Sequence, residues 1–386
     1  MNKIEINIDK NIKYLGEIKN IELPYGKYDR FELPNGILNK DIPNCGATTI
    51  ALEDNYKTII CSPRNNLLQN KNDQYPDTLL VIGGVNVNEV RTYIDKTNIP
   101  KILVSYDSIY KLVECIADKE NWRVVVDEFQ YILQDSSFKS EVEVKFLKYL
   151  KEFPYVTYLS ATPILDRYLE QIDFFSNMNY YHLVWGNKEV VKVYRERTNN
   201  PISAAIEIVR AYQKGNFPSV FLDGKTYYSK ECVIYLNSVS NIINIIKQTE
   251  LSPEDVNIIV GSSEDNDKSI AKLGDGFQRG RIPLKGEIHK MITFCTSTAF
   301  AGCDFYSTCA STFVISDCKK INTSIDISTD LVQIAGRQRL NCNPFRKYLT
   351  FIYNVNKEEI DDETFQNYLN KKVSLTTKEV EANNNE

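Results

Sequence analysis

The chain has 386 residues, 46 basic and 51 acidic, for a formal net charge of −5. At roughly 100–200 residues per domain, that length predicts two domains. No apolar run approaches the roughly 20 residues a membrane-spanning helix needs, so no membrane partner is expected. The first twenty residues lack a signal-peptide core, which makes a cytoplasmic location the expectation. Nine cysteines without a CxxC pair argue against a disulfide framework and a structural zinc site. The only histidines are His182 and His289, which argues against a His-rich metal site and a histidine-based triad. Chemistry is expected from carboxylates, backbone amides and arginines.

Short β-branched runs predict buried parallel strands at Thr58–Cys61, Leu79–Ile82, Ile102–Ser105, Val124–Val126 and Val156–Leu159. Helical patterns lie between many of them, as at Glu141–Phe153. The polar stretch Arg195–Pro201 reads as a linker. The pattern then restarts with a helix over Ser203–Lys214. Strands are predicted at Cys232–Leu236, Asn257–Val260, Met291–Cys295, Thr312–Ile315 and Leu349–Tyr353. Alternating strands and helices mark an α/β chain. The predicted division is 1–194 and 202–356, joined by 195–201. A tail over 357–386 carries eight acids and four bases, net −4, with a disordered end. The remaining 356 residues therefore sum to −1, which does not argue against a polyanionic partner.

Five segments suggest chemistry. In VVVDEFQ a strand runs into Asp127 and Glu128, the pattern in which one acid holds Mg²⁺ and the next polarises water. In DIPNCGATT, Gly46, Thr48 and Thr49 suit a phosphate loop, with Thr48 and Asp127 as Mg²⁺ ligands. Its usual lysine position holds Ala47, and taken alone the segment also fits a threonine-capped helix start. YLSATPI ends a strand in Ser160 and Thr162. TSTAFAGCDF, from Thr296, places Gly302 and Asp304 after another strand. QIAGRQR puts Gln333, Arg337 and Arg339 on a predicted helix, where arginine suits a developing phosphate charge. A glycine-rich basic segment, Lys268–Lys290, is equally a nucleic-acid-facing loop or a solvated one.

Together, in this order and with SPRNNLLQNK, LVSYDSI and YLNSVS between them, these motifs resemble the superfamily 2 helicases and translocases of the DExD/H-box type. The resemblance spans roughly Asn39 to Leu340. It implies two tandem RecA-like domains, each a parallel sheet flanked by helices, with ATP and Mg²⁺ in the cleft between them. It assigns Gly46, Thr48 and Thr49 to the phosphate loop and Asp127 with Glu128 to metal and water. Ser160 and Thr162 become the coupling element, Gly302 and Asp304 a nucleotide sensor. Gln333 and Arg337 match the arginine-finger helix. Pro63, Arg64, Ser105, Asn237, Ser238 and Thr296 match elements that touch a DNA or RNA backbone, single-stranded in this expectation.

Two departures stand out. Ala47 replaces the loop lysine, and the family's last arginine falls on Leu340, with Arg339 one residue early. On a helix one residue is about 100° of rotation. Lys40, just before the loop, is the candidate to replace the missing ammonium, because its stem is long and flexible. The expected function is an ATP-dependent helicase or translocase. The alternative is a catalytically degenerate relative acting as a nucleic-acid or protein scaffold, with a protein partner on the second domain or the tail. A phage or mobile-element origin fits so compact a core.

Overall fold

A computed structural model describes residues 1–43, 45–134, 136–162, 169–170, 172–188, 190–300, 303–355, 363 and 366–367. The chain opens with β1 (Asn2–Ile8), an antiparallel hairpin of β2 (Lys19–Leu23) and β3 (Gly26–Arg30), and β4 (Gly36–Asn39). Then follow β5 (Lys57–Ser62), β6 (Leu79–Val81), β7 (Lys101–Ser105), β8 (Trp122–Asp127), β9 (Val156–Ser160) and β10 (Asn179–Trp185). These strands, without the hairpin, form one eight-stranded sheet in the order β1-β10-β4-β9-β8-β5-β7-β6. Every pairing in it is parallel.

The second half begins with β11 (Lys192–Arg197) and an exposed hairpin of β12 (Ser219–Leu222) and β13 (Lys225–Tyr228). It continues with β14 (Glu231–Tyr235), β15 (Val256–Ile259), β16 (Ile292–Cys295), β17 (Ala310–Ser316) and β18 (Tyr348–Tyr353). The second sheet, also all parallel, runs β11-β18-β17-β14-β16-β15. The fold is therefore the expected pair of RecA-like domains.

Alternation along the strands explains why the apolar runs are continuous. Val124 and Val126 face one apolar layer and Val125 the other, so both faces of the sheet are covered. The second sheet is sandwiched likewise, with Ile234 on one side and Val233 and Tyr235 on the other.

Three expectations change. The stretch Arg195–Pro201, read as a linker, is mostly regular structure of the second domain. Its first residues belong to β11, paired with β18, and Pro201 opens the helix Pro201–Gln213, with Asn200 as its cap. It reads as polar because β11 is an edge strand exposed on both faces. The helix read as Glu141–Phe153 runs over Ser136–Leu150. The tail, apart from three positions, lies outside the described residues.

Candidate functional site

Parallel register brings the motifs together. Asn39 pairs with Ser160 at the ends of β4 and β9, and Asp127 pairs with Leu159 across β8 and β9. The residues after these ends, Lys40, Glu128 and Ala161, therefore share one edge of the sheet. Ligands of parallel sheets bind at this carboxyl edge.

Lys40 sits in the middle of it. Its Nζ donates to Asp127 Oδ1 at 3.0 Å and to Glu128 Oε1 at 3.3 Å. All three side chains are buried. Trp185 Nε1 donates to the Lys40 carbonyl at 2.9 Å, and the Lys40 amide donates to the Ser160 carbonyl at 2.7 Å. The lysine backbone is thus fixed from both neighbouring strands. Burial alone would push the Lys40 ammonium down, but the Asp127 and Glu128 carboxylates outweigh it and hold it above its ordinary value. Burial would likewise raise Asp127. The Lys40 ammonium and the Thr48 hydroxyl instead hold it below the usual carboxylate range.

Thr48 Oγ1 donates to Asp127 Oδ2 at 3.0 Å, so loop and acid pair are one hydrogen-bonded unit. Gly46 precedes the helix Ala47–Glu53 with φ +86°, a left-handed conformation that suits glycine. Ala47 is buried in the apolar layer under the loop, and Thr49 lies beside Tyr75. Glu128 also has positive φ, +52°, an unfavourable backbone for a non-glycine residue of the kind that clusters at functional sites. Gln130 Nε2, which the motif reading passed over, donates to Glu128 Oε2 at 2.7 Å.

The second domain closes over this group. Gln333 Nε2 donates to Glu128 Oε2 at 3.0 Å and to Thr162 Oγ1 at 3.3 Å. Thr162 is held by its own amide, which donates to Ser160 Oγ at 3.0 Å. Thr162 of the first domain and Gln333 of the second therefore meet at Glu128. Arg337, 2% exposed, donates through Nε to the Gln333 carbonyl and through Nη2 to Gln333 Oε1. Its Nη1 is buried with no acceptor among the described residues.

Arg339 is not one step round a helix. The helix is Asp330–Ala335, ended by Gly336, and the next residues leave it. Phe305 and Gln338 form an isolated parallel bridge, with amide bonds from Phe305 to the Arg337 carbonyl and from Arg339 to the Phe305 carbonyl, each 2.9 Å. This turns Arg339 onto Asp304, with Nε 2.6 Å from Oδ1 and Nη2 on the same oxygen. Arg339 Nη1 caps the helix at the Gly336 carbonyl. Burial would raise Asp304, but the Arg339 guanidinium holds it low. The expected phosphate contact of Arg339 is thus taken by a carboxylate of its own domain.

The residues expected at a nucleic-acid backbone line the carboxyl ends of both sheets. Ser62 pairs with Ser105 across β5 and β7, which sets Pro63 and Arg64 beside Ser105. Arg64 stacks over Tyr131 at 4.7 Å. Ser105 is buried and bonded to Ser108 Oγ. Ser238 caps the helix Val239–Thr249 through the Asn241 amide. Asn237 uses its whole amide, accepting from the Ser297 amide at 3.0 Å and donating to the Asn322 carbonyl at 2.8 Å. Thr296 is buried against Thr298. Gly302 lies outside the described residues.

No family model and no curated protein sequence matches the chain. Solved structures do. A deletion form of Mss116p bound to ssRNA and AMP-PNP aligns at TM-score 0.50 and 13% identity, over 83% of this chain and 66% of that one. The DEAD-box helicase Mss116 bound to ssRNA and UDP-BeF aligns at 0.52 and 13%, over 84% and 67%. Dbp5 of S. cerevisiae bound to RNA and ADP BeF3 aligns at 0.53 and 11%, over 86% and 81%. The chain spans about two thirds of the Mss116 chains. By fold the chain is a tandem pair of RecA-like domains, similar to the cores of these solved helicases at 11–13% identity.

Proposed function

We propose that the chain is an ATP-dependent nucleic-acid translocase or helicase that hydrolyses ATP between its two domains. One observation carries this reading. Arg337 is a buried cation without a carboxylate partner among the described residues, joined through Gln333 to Glu128. A buried, unpaired guanidinium is costly unless an anion meets it. A triphosphate in the cleft is the anion that the surrounding residues suit. Thr48 and Asp127 are the residues that would hold Mg²⁺, whose charge would offset that of the phosphates. Glu128 polarises the attacking water, and Gln333 reports its state to Thr162. Lys40 takes the role that Ala47 cannot, reaching the phosphates from the end of β4 rather than from the loop. Closure and reopening across Gln333 would step the domains along a single strand.

The test is ATP turnover with single-stranded DNA and RNA in parallel. Wild type should turn over and be stimulated by at least one strand. Glu128→Gln should lose about 100-fold or more of kcat while still binding nucleotide, as expected when a positioned base is removed. Strand binding with no turnover above the Glu128→Gln level would overturn the enzymatic reading and favour a scaffold.

A further inference from the structure

The basic segment that stands out in the sequence is largely neutralised. Arg279 pairs with Asp267, Arg281 with Glu287, and Lys268 with Glu264. Lys290 is tied to the carbonyls of Pro253 and Val256. This segment also leads into the amino end of β16, away from Ser238 and Thr296 at the carboxyl end. Lys272 and Lys285 of this segment are exposed and unpaired among the described residues, but at the carboxyl end of the sheet free positive charge comes from the turn after β17. Lys319 and Lys320 are exposed and make no side-chain hydrogen bond or ion pair among the described residues.

They occupy the turn that follows β17, and the turn is rigidly built. The Lys319 amide donates to Asp317 Oδ1 at 3.0 Å. Thr323 Oγ1 donates to the Asp317 and Lys320 carbonyls at 2.7 and 2.9 Å. Asn354 Nδ2 donates to Asp317 Oδ1 at 2.6 Å, and the Cys318 amide donates to Asn354 Oδ1 at 2.8 Å. Asn237 then ties Asn322 to Ser297, so one side chain joins the loops after β14, β16 and β17. β14 and β17 are adjacent and parallel, so the lysines stand at the same end of the sheet as Ser238 and Thr296.

We propose that Lys319 and Lys320 form a phosphate clamp of the second domain, gripping the backbone of a single-stranded polynucleotide. This rests on the polynucleotide reading above. Unpaired ammonium groups on a fixed turn give up no partner on binding, and they release counterions from the strand. The neighbouring Ser238 and Ser240 hydroxyls are neutral hydrogen-bonding groups that suit phosphate oxygens. Two point charges without a planar fork position a backbone and read no bases.

The experiment is anisotropy titration of labelled single-stranded DNA and RNA across a salt series. It uses wild type, Lys319→Ala/Lys320→Ala and a Lys272→Ala/Lys285→Ala control. Each phosphate contact contributes about 0.7 to the slope of log affinity on log salt for a single strand. The clamp variant should lose about 1.4 from that slope, and roughly 25-fold in affinity at 0.1 M salt. Its unstimulated KM for ATP and its melting temperature should stay at the wild-type values, and the control should keep the wild-type slope. An unchanged slope in the clamp variant, or an equal loss in the control, overturns the clamp alone. A wild type that binds neither strand overturns the polynucleotide reading with it. Weakening that depends on an added acidic protein, with no change for nucleic acid, would make the turn a protein contact instead.

Discussion

Lys40 holds two buried carboxylates at once, so its removal should be felt in stability before any question of turnover. Lys40→Ala leaves Asp127 and Glu128 side by side without a cation, and breaking a buried pair typically costs about 3–5 kcal/mol. A loss of that size should appear in urea unfolding; a change under about 0.5 kcal/mol would mean the ammonium is not held where it is seen. Asp304 and Arg339 form a separate unit of the same kind. Arg339→Ala should destabilise by a similar amount. The swapped pair, Asp304→Arg with Arg339→Asp, should recover part of it, which a role as a phosphate contact would not produce. At this scale the sequence was partly readable. Ala47 signalled that a cation was missing and Lys40 was near enough to suggest itself. Its partners lie 87 and 88 residues away, and only the sheet register brings them within reach. The pairing of Arg339 was hidden, because nothing local says that a helix stops at Gly336.

Among elements, ten of the fourteen strands of the central sheets were legible, since parallel strands covered on both faces are nearly all apolar; the inner strands β4 and β10 were not read. β1 and β11 were not, because each is an edge strand with exposed polar positions. β4 is only four residues long. It begins at Gly36, where φ is +130° and a Cβ would stand 2.6 Å from the Asn179 carbonyl oxygen of β10. Gly36→Ala should therefore push β10 from β4, beside Lys40, and lower stability by at least about 2 kcal/mol through strain and overpacking. Thermal unfolding would show it. The hairpin β12–β13 turns at Asp223 and Gly224, both with positive φ, and the Asp-Gly pair is the sequence signal that marks it.

For the whole molecule, the cleft makes stability depend on pH in a definite direction. Asp127 and Asp304 both lie below the ordinary 3.8 of an aspartate. A depressed carboxylate stabilises the fold fully above its unfolded value and loses that contribution as pH falls through the folded one. Lys40 is raised, so its share is present throughout the neutral range and lost only in strong alkali. The urea midpoint should stay flat from about pH 7 to pH 8, fall above that as the buried cysteines ionise in the unfolded chain, and drop below about pH 4. Asp304→Asn should flatten part of the acid limb. An acid limb unaffected by that change would place the sensitivity elsewhere.

The sheet order also fixes a sequence of events during synthesis. β1 has one partner in its sheet, β10, and the two are separated by most of the first domain. At about 5–20 residues per second, the ribosome needs roughly 10–35 s after finishing β1 to finish β10. For that interval the first strand made has no neighbour to pair with. β4, which carries Lys40, can meet β9 earlier but lacks its other flank until β10 arrives. The lysine therefore reaches its carboxylates only late in translation of the first domain, and a ribosome stall before Asn179 would leave the cleft unassembled.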